Sequence, residues 1–298
     1  TENAPVKDPF GQNPVTVFKD VGITVFKSGW EKDDFILVMR SGAFFNHQHL
    51  DQGTFWLVDR GSIFIGERHG STYYDDPIYQ SHYTQPVAHS TILIDHNLQS
   101  QRVGDPLRFA QGFDDHAFIY HFLDGSEAAF SCGDIGRLYW GKVKEIRRNV
   151  LYLKPRTILM LDTIVPAEKD VDVTLLFQTD HLQDIQPSQA MSKITKGKNI
   201  LFIKHLYPEK IEIKAEETPH YINTLKNEMP LTKEGMLTVT ARTSNEPLVI
   251  ANLLGTEGIE KATIEKGEGF ISGNANGKDF AFSAKPGHSY QTAGLTTD

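Results

Sequence analysis

The sequence predicts an all-β protein, a large antiparallel multi-sheet β-sandwich with few short helices. Three observations carry this. Short runs rich in β-branched and aromatic residues recur from end to end. Turn chemistry separates them, and no long segment sustains the apolar spacing of three and four residues that a helix needs. Many strands at such spacing imply antiparallel sheets stacked face to face.

In chain order, the early runs are Val15-Thr16-Val17-Phe18, Ile23-Thr24-Val25-Phe26, Phe35-Ile36-Leu37-Val38-Met39 and Phe55-Trp56-Leu57-Val58. Later ones are Val150-Leu151-Tyr152-Leu153, Ile158-Leu159-Met160-Leu161 and Val173-Thr174-Leu175-Leu176-Phe177. Period-two alternation, with one face in the core and one in water, is clearest in Lys210-Ile211-Glu212-Ile213-Lys214 and Leu237-Thr238-Val239-Thr240-Ala241. Lys154-Pro155-Arg156 reads as a tight turn. Thr195-Lys196-Gly197-Lys198-Asn199 and Asn274-Ala275-Asn276-Gly277-Lys278 read as hairpin loops. A polar softening over residues 214–231 marks a boundary between a main sandwich with the candidate site, residues 1–215, and a smaller C-terminal sheet region, residues 216–298, which could be continuous with it.

Composition bounds the function. The 298 residues include 39% hydrophobic and 23% charged, an ordinary globular mixture with ample core. A net charge of -8 and no basic stripe argue against nucleic acid. An anionic glycan would have to be met by a local patch of Arg, Lys, His and metal. The single cysteine, Cys132, excludes an intrachain disulfide and reads as a small core residue beside Gly133. No apolar stretch reaches the roughly 18 residues of a membrane span. The chain opens Thr1-Glu2-Asn3 without an initiator Met, so a processed product is expected.

Six of the twelve histidines (His47, His49, His69, His82, His89 and His96) fall in one segment. In His47-Gln48-His49, residues two apart on a strand share a face, so both imidazoles could enter one site. Glu67 follows an apolar run that starts at Gly61, and His89 opens the run to Asp95. His49, Glu67 and His89 form an N/N/O set suited to zinc, with Ca2+ or another divalent ion as the alternative. Asp51 could orient a ligand imidazole. A cupin-type site is excluded, because Gly53 and Thr54 stand where a Glu should follow the His-x-His pair.

The string Asn46-His47-Gln48-His49-Leu50-Asp51 resembles the His-x-His-x-Asp signature of heparinase II/III-like polysaccharide lyases. Phe26-Lys27-Ser28-Gly29-Trp30 and Val38-Met39-Arg40-Ser41-Gly42 resemble the family's approach to it, in the same order. Gly61 to Glu67, and Ala88-His89-Ser90-Thr91-Ile92-Leu93-Ile94-Asp95 with Gln99 or Gln101 behind it, resemble the next two elements. Ile146-Arg147-Arg148-Asn149-Val150-Leu151-Tyr152-Leu153-Lys154-Pro155 resembles the family hairpin, followed by Leu161-Asp162. The motifs span residues 15–180. Glu67 replaces the usual Asp, and Ser90 the usual Asn.

The resemblance implies a super-β-sandwich that acts on a uronic-acid glycan by β-elimination. It makes His49, His89 and Glu67 metal ligands and His47 an active-site residue on the sheet side. It also implies a partner absent from these residues, a helical toroid domain in cis or as a separate chain. The location it implies is periplasmic or secreted. Arg40, Arg68, Tyr73 and Tyr74 are candidate substrate-binding residues. Arg40, Arg68 and Arg60 are equally readable as surface or sheet-edge charges. Tyr73, Tyr74, Tyr79 and Tyr83 read as loop aromatics that line or stack on sugars, with a stand-in for the family's catalytic Tyr as the alternative. His69, His82 and His96 have no family counterpart and read as loop histidines. The alternative is a metal-containing carbohydrate-binding sandwich without turnover.

Overall fold

The structure, a computed structural model, describes residues 13–44, 49–67, 78–102, 116–139, 141–220, 223–224, 227–228, 232–266, 270–283, 290–292 and 295–297. Its strands run β1 (Thr16–Phe18), β2 (Ile23–Lys27), β3 (Ile36–Arg40), β4 (Phe55–Asp59), β5 (Ser62–Ile65), β6 (Ile92–Ile94), β7 (Phe118–Asp124) and β8 (Ala128–Asp134). Then come β9 (Val143–Leu153), β10 (Thr157–Pro166), β11 (Asp172–Thr179), β12 (Ile185–Gln186), β13 (Met191–Lys196), β14 (Asn199–Tyr207), β15 (Glu212–His220), β16 (Asn223–Thr224) and β17 (Asn227–Glu228). The chain ends with β18 (Thr232–Arg242), β19 (Leu248–Gly255), β20 (Thr263–Lys266), β21 (Phe270–Ala275), β22 (Lys278–Ser283), β23 (Tyr290–Thr292) and β24 (Leu295–Thr297). Helices among the described residues are single short turns, the longest being Tyr79–Tyr83.

The central sheet has eight strands in the order β12-β13-β14-β19-β10-β9-β8-β7. One face packs on the sheet β1-β2-β3-β4-β5 and on the sheet β15-β18-β11-β6. That core unites Phe26, Leu37 and Phe55 with Ile146, Tyr152 and Met160, and with Val173, Phe177 and Leu237. The opposite face carries Leu151, Leu159 and Val249 against Ile271, Phe280 and Phe282 of the sheet β20 to β24. Strands β9, β10 and β19 are thus covered on both faces. This explains why Ile158-Leu159-Met160-Leu161 reads as a continuous apolar run and not as an alternation. Each such aliphatic side chain contributes ~1.5–3 kcal/mol on burial.

The hairpins stand where the turn residues place them. Leu153 pairs with Thr157 around Lys154-Pro155-Arg156, and Lys196 pairs with Asn199 around Gly197-Lys198. Asn276 and Gly277, at φ of 53° and 76°, form the mirror-image turn between Ala275 and Lys278 that matches strand twist. The divide after residue 215 falls inside β15, whose partner β18 lies beyond it, and β19 sits in the middle of the central sheet. The polar stretch reads softly because β15 exposes alternate charged residues, not because the sheets end there. Cys132 is buried, and burial pushes its thiol up to about 12, which leaves it protonated and inert.

Candidate functional site

The three candidate ligands meet at one end of the β3-β4-β5 sheet, and each comes from a segment flanking a strand. His49 lies in the connection from β3 to β4, Glu67 directly follows β5, and His89 follows the turn Pro86–Ala88 ahead of β6. The strand expected under His49 is therefore a loop. The site is built by strand ends, which leave side chains free to converge, and not by one strand face. Backbone bonds hold the segments together. The Gly66 amide donates to the Gln178 carbonyl at 3.1 Å, and the Leu176 amide to Thr91 at 2.9 Å. The Gln178 amide donates to Ser90 Oγ at 3.1 Å.

His89 Nδ1 lies 3.0 Å from Glu67 Oε2, and both side chains are almost wholly excluded from water. The other ring nitrogen, Nε2, is 3.0 Å from the Tyr83 carbonyl. A donor there fixes the tautomer and aims Nδ1 at the carboxylate, the way an outer partner orients a ligand imidazole. Glu67 Oε1 accepts from the Thr54 hydroxyl and, at 3.3 Å, from the Ser90 amide. The longer arm of Glu, relative to the Asp usual in the resembling family, is thus taken up by Thr54 and the backbone at Ser90. The His49 ring is 5.3 Å from that of His89, centre to centre, and meets Tyr79 edge-on at 5.8 Å.

Burial alone would hold His89 neutral. The charges of Glu67 and Asp51, the Glu67 hydrogen bond and the Tyr83 carbonyl outweigh it, and the net push on the imidazole is upward. Asp51 is pushed up by burial, with Glu67 adding to it and His89 and Arg40 opposing. Its carboxylate bonds Arg40 at 2.8 Å and the Gln52 amide at 3.2 Å. Asp51 therefore reaches the imidazole through its field, while its hydrogen bonds go to Arg40 and Gln52.

Among the described residues, no three His, Cys, Asp or Glu side chains stand as a ready metal cage. His89 and Glu67 instead satisfy each other. By donor chemistry the set fits a zinc ion, two imidazole nitrogens and a carboxylate, with one imidazole already braced on a carbonyl. A cation would replace the proton shared by His89 and Glu67. His47, Arg68, Tyr73 and Tyr74 lie outside the described residues, as does His69. Arg40 is in the site as the partner of Asp51, and Arg60 pairs with Glu257 away from it.

Several contributors escaped sequence reasoning. Tyr79 and Tyr83, expected as loop aromatics, are buried in the Tyr79–Tyr83 turn, where one packs on His49 and the other presents the carbonyl to His89. His82 of the same turn is 3.1 Å from the Thr218 hydroxyl, and His96 is exposed and pairs with Asp172. Of the two trailing glutamines, Gln99 is exposed and Gln101 buried. The Gln101 amide donates to the Gln52 carbonyl at 2.7 Å, and its own carbonyl accepts from the Gln52 amide at 3.0 Å. Thr91 donates to that same Gln52 carbonyl at 2.5 Å, and Tyr139 donates to the Ile92 carbonyl at 3.0 Å. The only signal for Gln101 in the sequence was its place behind the His89 run.

No curated protein sequence matches the chain significantly. Among solved structures, it is similar to heparan sulfate lyase HepC from Pedobacter heparinus, with a TM-score of 0.72, 16% identity and cover of 92% of this chain and 43% of that one. A heparinase III structure gives a TM-score of 0.69 at 13% identity, covering 91% and 42%. Chondroitin AC lyase from Streptomyces coelicolor A3, determined with chondroitin sulphate, gives 0.51 at 10% identity, covering 91% and 38%. At these identities the likeness is one of fold, and the chain spans less than half the length of each of these structures. The sequence profile of the family described as heparinase II/III-like, C-terminal, matches residues 11–251, a span that holds both histidine segments and the central sheet up to the middle of β19. The chain belongs to the heparinase II/III-like C-terminal domain family.

Proposed function

We propose that this chain is the β-sheet part of a polysaccharide lyase that cleaves a uronic-acid-containing glycan, with His49, Glu67 and His89 as a divalent-metal site. The observation that carries the reading is the meeting of these three residues at one sheet end, inside the span that matches a heparinase family. In β-elimination the proton at C5, alpha to a carboxylate, is removed. The C4–oxygen bond breaks, a C4–C5 double bond forms, and a proton goes to the departing oxygen. The site must therefore neutralise the substrate carboxylate and hold an acid and a base near the operating pH.

Zinc suits the N/N/O donors, and bound there it would supply fixed positive charge and fasten three strand ends. This chain's own residues do the holding. Tyr83 and Glu67 orient His89, while Arg40 bonds Asp51 beside it and opposes the upward push of burial on that carboxyl. His47 is assigned the sugar-facing role, with Arg40, Arg68, Tyr73 and Tyr74 as substrate contacts. A helical toroid domain, in cis or as a separate chain, is assigned the rest of the acid and base chemistry. A periplasmic or secreted location goes with a polymeric substrate. The second reading is a metal-containing carbohydrate-binding sandwich without turnover.

Incubation with a panel of uronate polymers, with and without a helical toroid domain, tests both readings through the ultraviolet absorbance of the unsaturated product. Product only in the presence of the helical domain is expected. Product from the chain alone would overturn the division of labour, and glycan binding with no product in either case would favour the second reading. Elemental analysis should find about one divalent ion per chain, lost in the His49→Ala/His89→Ala protein. A purified chain without metal, or one that keeps it after both substitutions, removes the metal site.

A further inference from the structure

Arg148 is the bulkiest fully buried side chain among the described residues. It lies on β9 directly opposite Asp162 on β10. Its Nε donates to Asp162 Oδ1 at 2.7 Å and one Nη2 hydrogen to Oδ2 at 3.2 Å, a two-point fork. The remaining nitrogen, Nη1, reaches out of the central sheet. It donates to the carbonyl of Gly53 at 2.5 Å and to that of Ser90 at 2.9 Å. Gly53 lies four residues after His49 in the connection from β3 to β4, and Ser90 is next to His89. One guanidinium therefore grips the backbone of both histidine-bearing segments.

A buried guanidinium with a single carboxylate partner would need only the fork. The two carbonyls occupy donors that lysine, with one ammonium and no fixed plane, could not present in the same directions. Asp162 holds the plane of the guanidinium, and the plane sets how far apart the two carbonyls stand. Gly53 has φ +80°, and a Cβ there would meet Ile135 at 2.7 Å and Thr91 Oγ1 at 3.3 Å, so the gripped loop has no slack on its other side. The Thr54 and Gln101 bonds also cross between the segments, but neither reaches the central sheet's backbone pair. Ser41 Oγ, at the start of the β3–β4 connection, lies 3.0 and 3.4 Å from the Phe118 and Asp134 carbonyls of the central sheet, whereas the Arg148–Asp162 pair bonds both histidine-bearing segments at once.

We infer that Arg148, oriented by Asp162, is a positioning residue that fixes the separation of the His49 and His89 segments against the central sheet, and with it the geometry of the candidate metal ligands. The inference rests on the metal reading for its consequence but not for the brace itself. The test replaces both buried charges together, Arg148→Met with Asp162→Leu, because an apolar pair can keep the sandwich folded while the grip is lost. Hydrogen exchange is measured on metal-free protein, and cobalt(II) is then titrated through its visible absorption. Exchange at the amides of Gly53, Thr54, Ser90 and Thr91 should accelerate at least about tenfold, while the β9-β10-β19 ladder stays protected. Cobalt affinity should fall about 10–100-fold, with an altered spectrum.

Arg148→Lys is the second variant. It keeps the charge and loses the fork, and it should show the same two changes if the double substitution fails to fold. Unchanged exchange in a folded variant, or faster exchange with wild-type cobalt affinity and spectrum, overturns the inference. If the wild-type chain takes up no cobalt, the metal reading fails by itself and the exchange result alone decides the brace.

Discussion

His89 and His205 sit in the same sandwich, and their surroundings push them in opposite directions. His89 is enclosed by Glu67, Asp51 and the Tyr83 carbonyl, and the push is upward although burial opposes it. His205, on β14, lies 2.9 Å from the Ser192 hydroxyl on β13 and 2.7 Å from Asn252 Oδ1 on β19. Burial lowers it, and the Asn252 hydrogen bond only partly offsets that. Both rings have a polar partner at each nitrogen. What differs is charge, since carboxylates stabilise an imidazolium that a hydroxyl and an amide cannot. Hydrogen bonding alone therefore does not mark a functional histidine. The Ser-His-Asn chain resembles a nucleophile arrangement on paper, but Ser192 is fully buried and its histidine is kept neutral as part of the sheet.

The comparison can be broken by changing what surrounds each ring. The largest effect is expected from Arg148→Met alone, which leaves Asp162 buried without a partner. It should cost about 3–5 kcal/mol in denaturant unfolding, while the paired apolar replacement costs far less. A small loss from the single substitution would show that water reaches the pair.

Glu67→Gln comes next. Without the carboxylate, burial should win at His89 and its titration, followed by NMR of the ring, should move below that of an unperturbed histidine. The sign of the wild-type linkage follows. His89 is raised in the metal-free fold, so its pair stabilises fully below the unfolded value of about 6.5, and that contribution is lost as pH rises through the folded value. In Glu67→Gln the sign should reverse, with stability lost as pH falls below about 6.5, and a titration still raised would assign the push to Asp51.

The reciprocal change is Asn252→Asp, which gives His205 a carboxylate. Its titration should move upward from the wild-type position; no movement would mean that charge is not the variable. The smallest effect concerns wild-type His205. Its folded value is depressed, so its contribution is present above about pH 6.5 and is lost as pH falls toward the folded value, with a slope of up to about 1.4 kcal/mol per pH unit. Stability of His205→Gln should lack that component, and an identical acid slope would rule it out.

Much of the fold was legible because strand signals are local. Apolar runs, the Asn276-Gly277 turn and the hairpin around Pro155 each depend on neighbours within a few residues, and each stands where the sequence pointed. The pairing of β15 with β18 across residue 215 was not legible, because strand pairing joins residues distant in sequence. Composition alone cannot show that Leu237 faces Phe177 across β18 and β11. The identities of His49, Glu67 and His89 could be read from the family motif, but not their placement. Period-two logic put His49 on a strand face, where the structure has a loop at a strand end.

The sequence by itself determined an all-β chain of this family and three residues with the right donor atoms to serve together. Only the tertiary structure decided which atoms face one another. Tyr83 offers a carbonyl to His89, Glu67 is braced by Thr54, and Arg148 reaches across 95 residues to Gly53 and 58 to Ser90. The direction in which each histidine is pushed belongs to the same class. Local pattern carries propensity, but field and desolvation are sums over groups that only folding brings near.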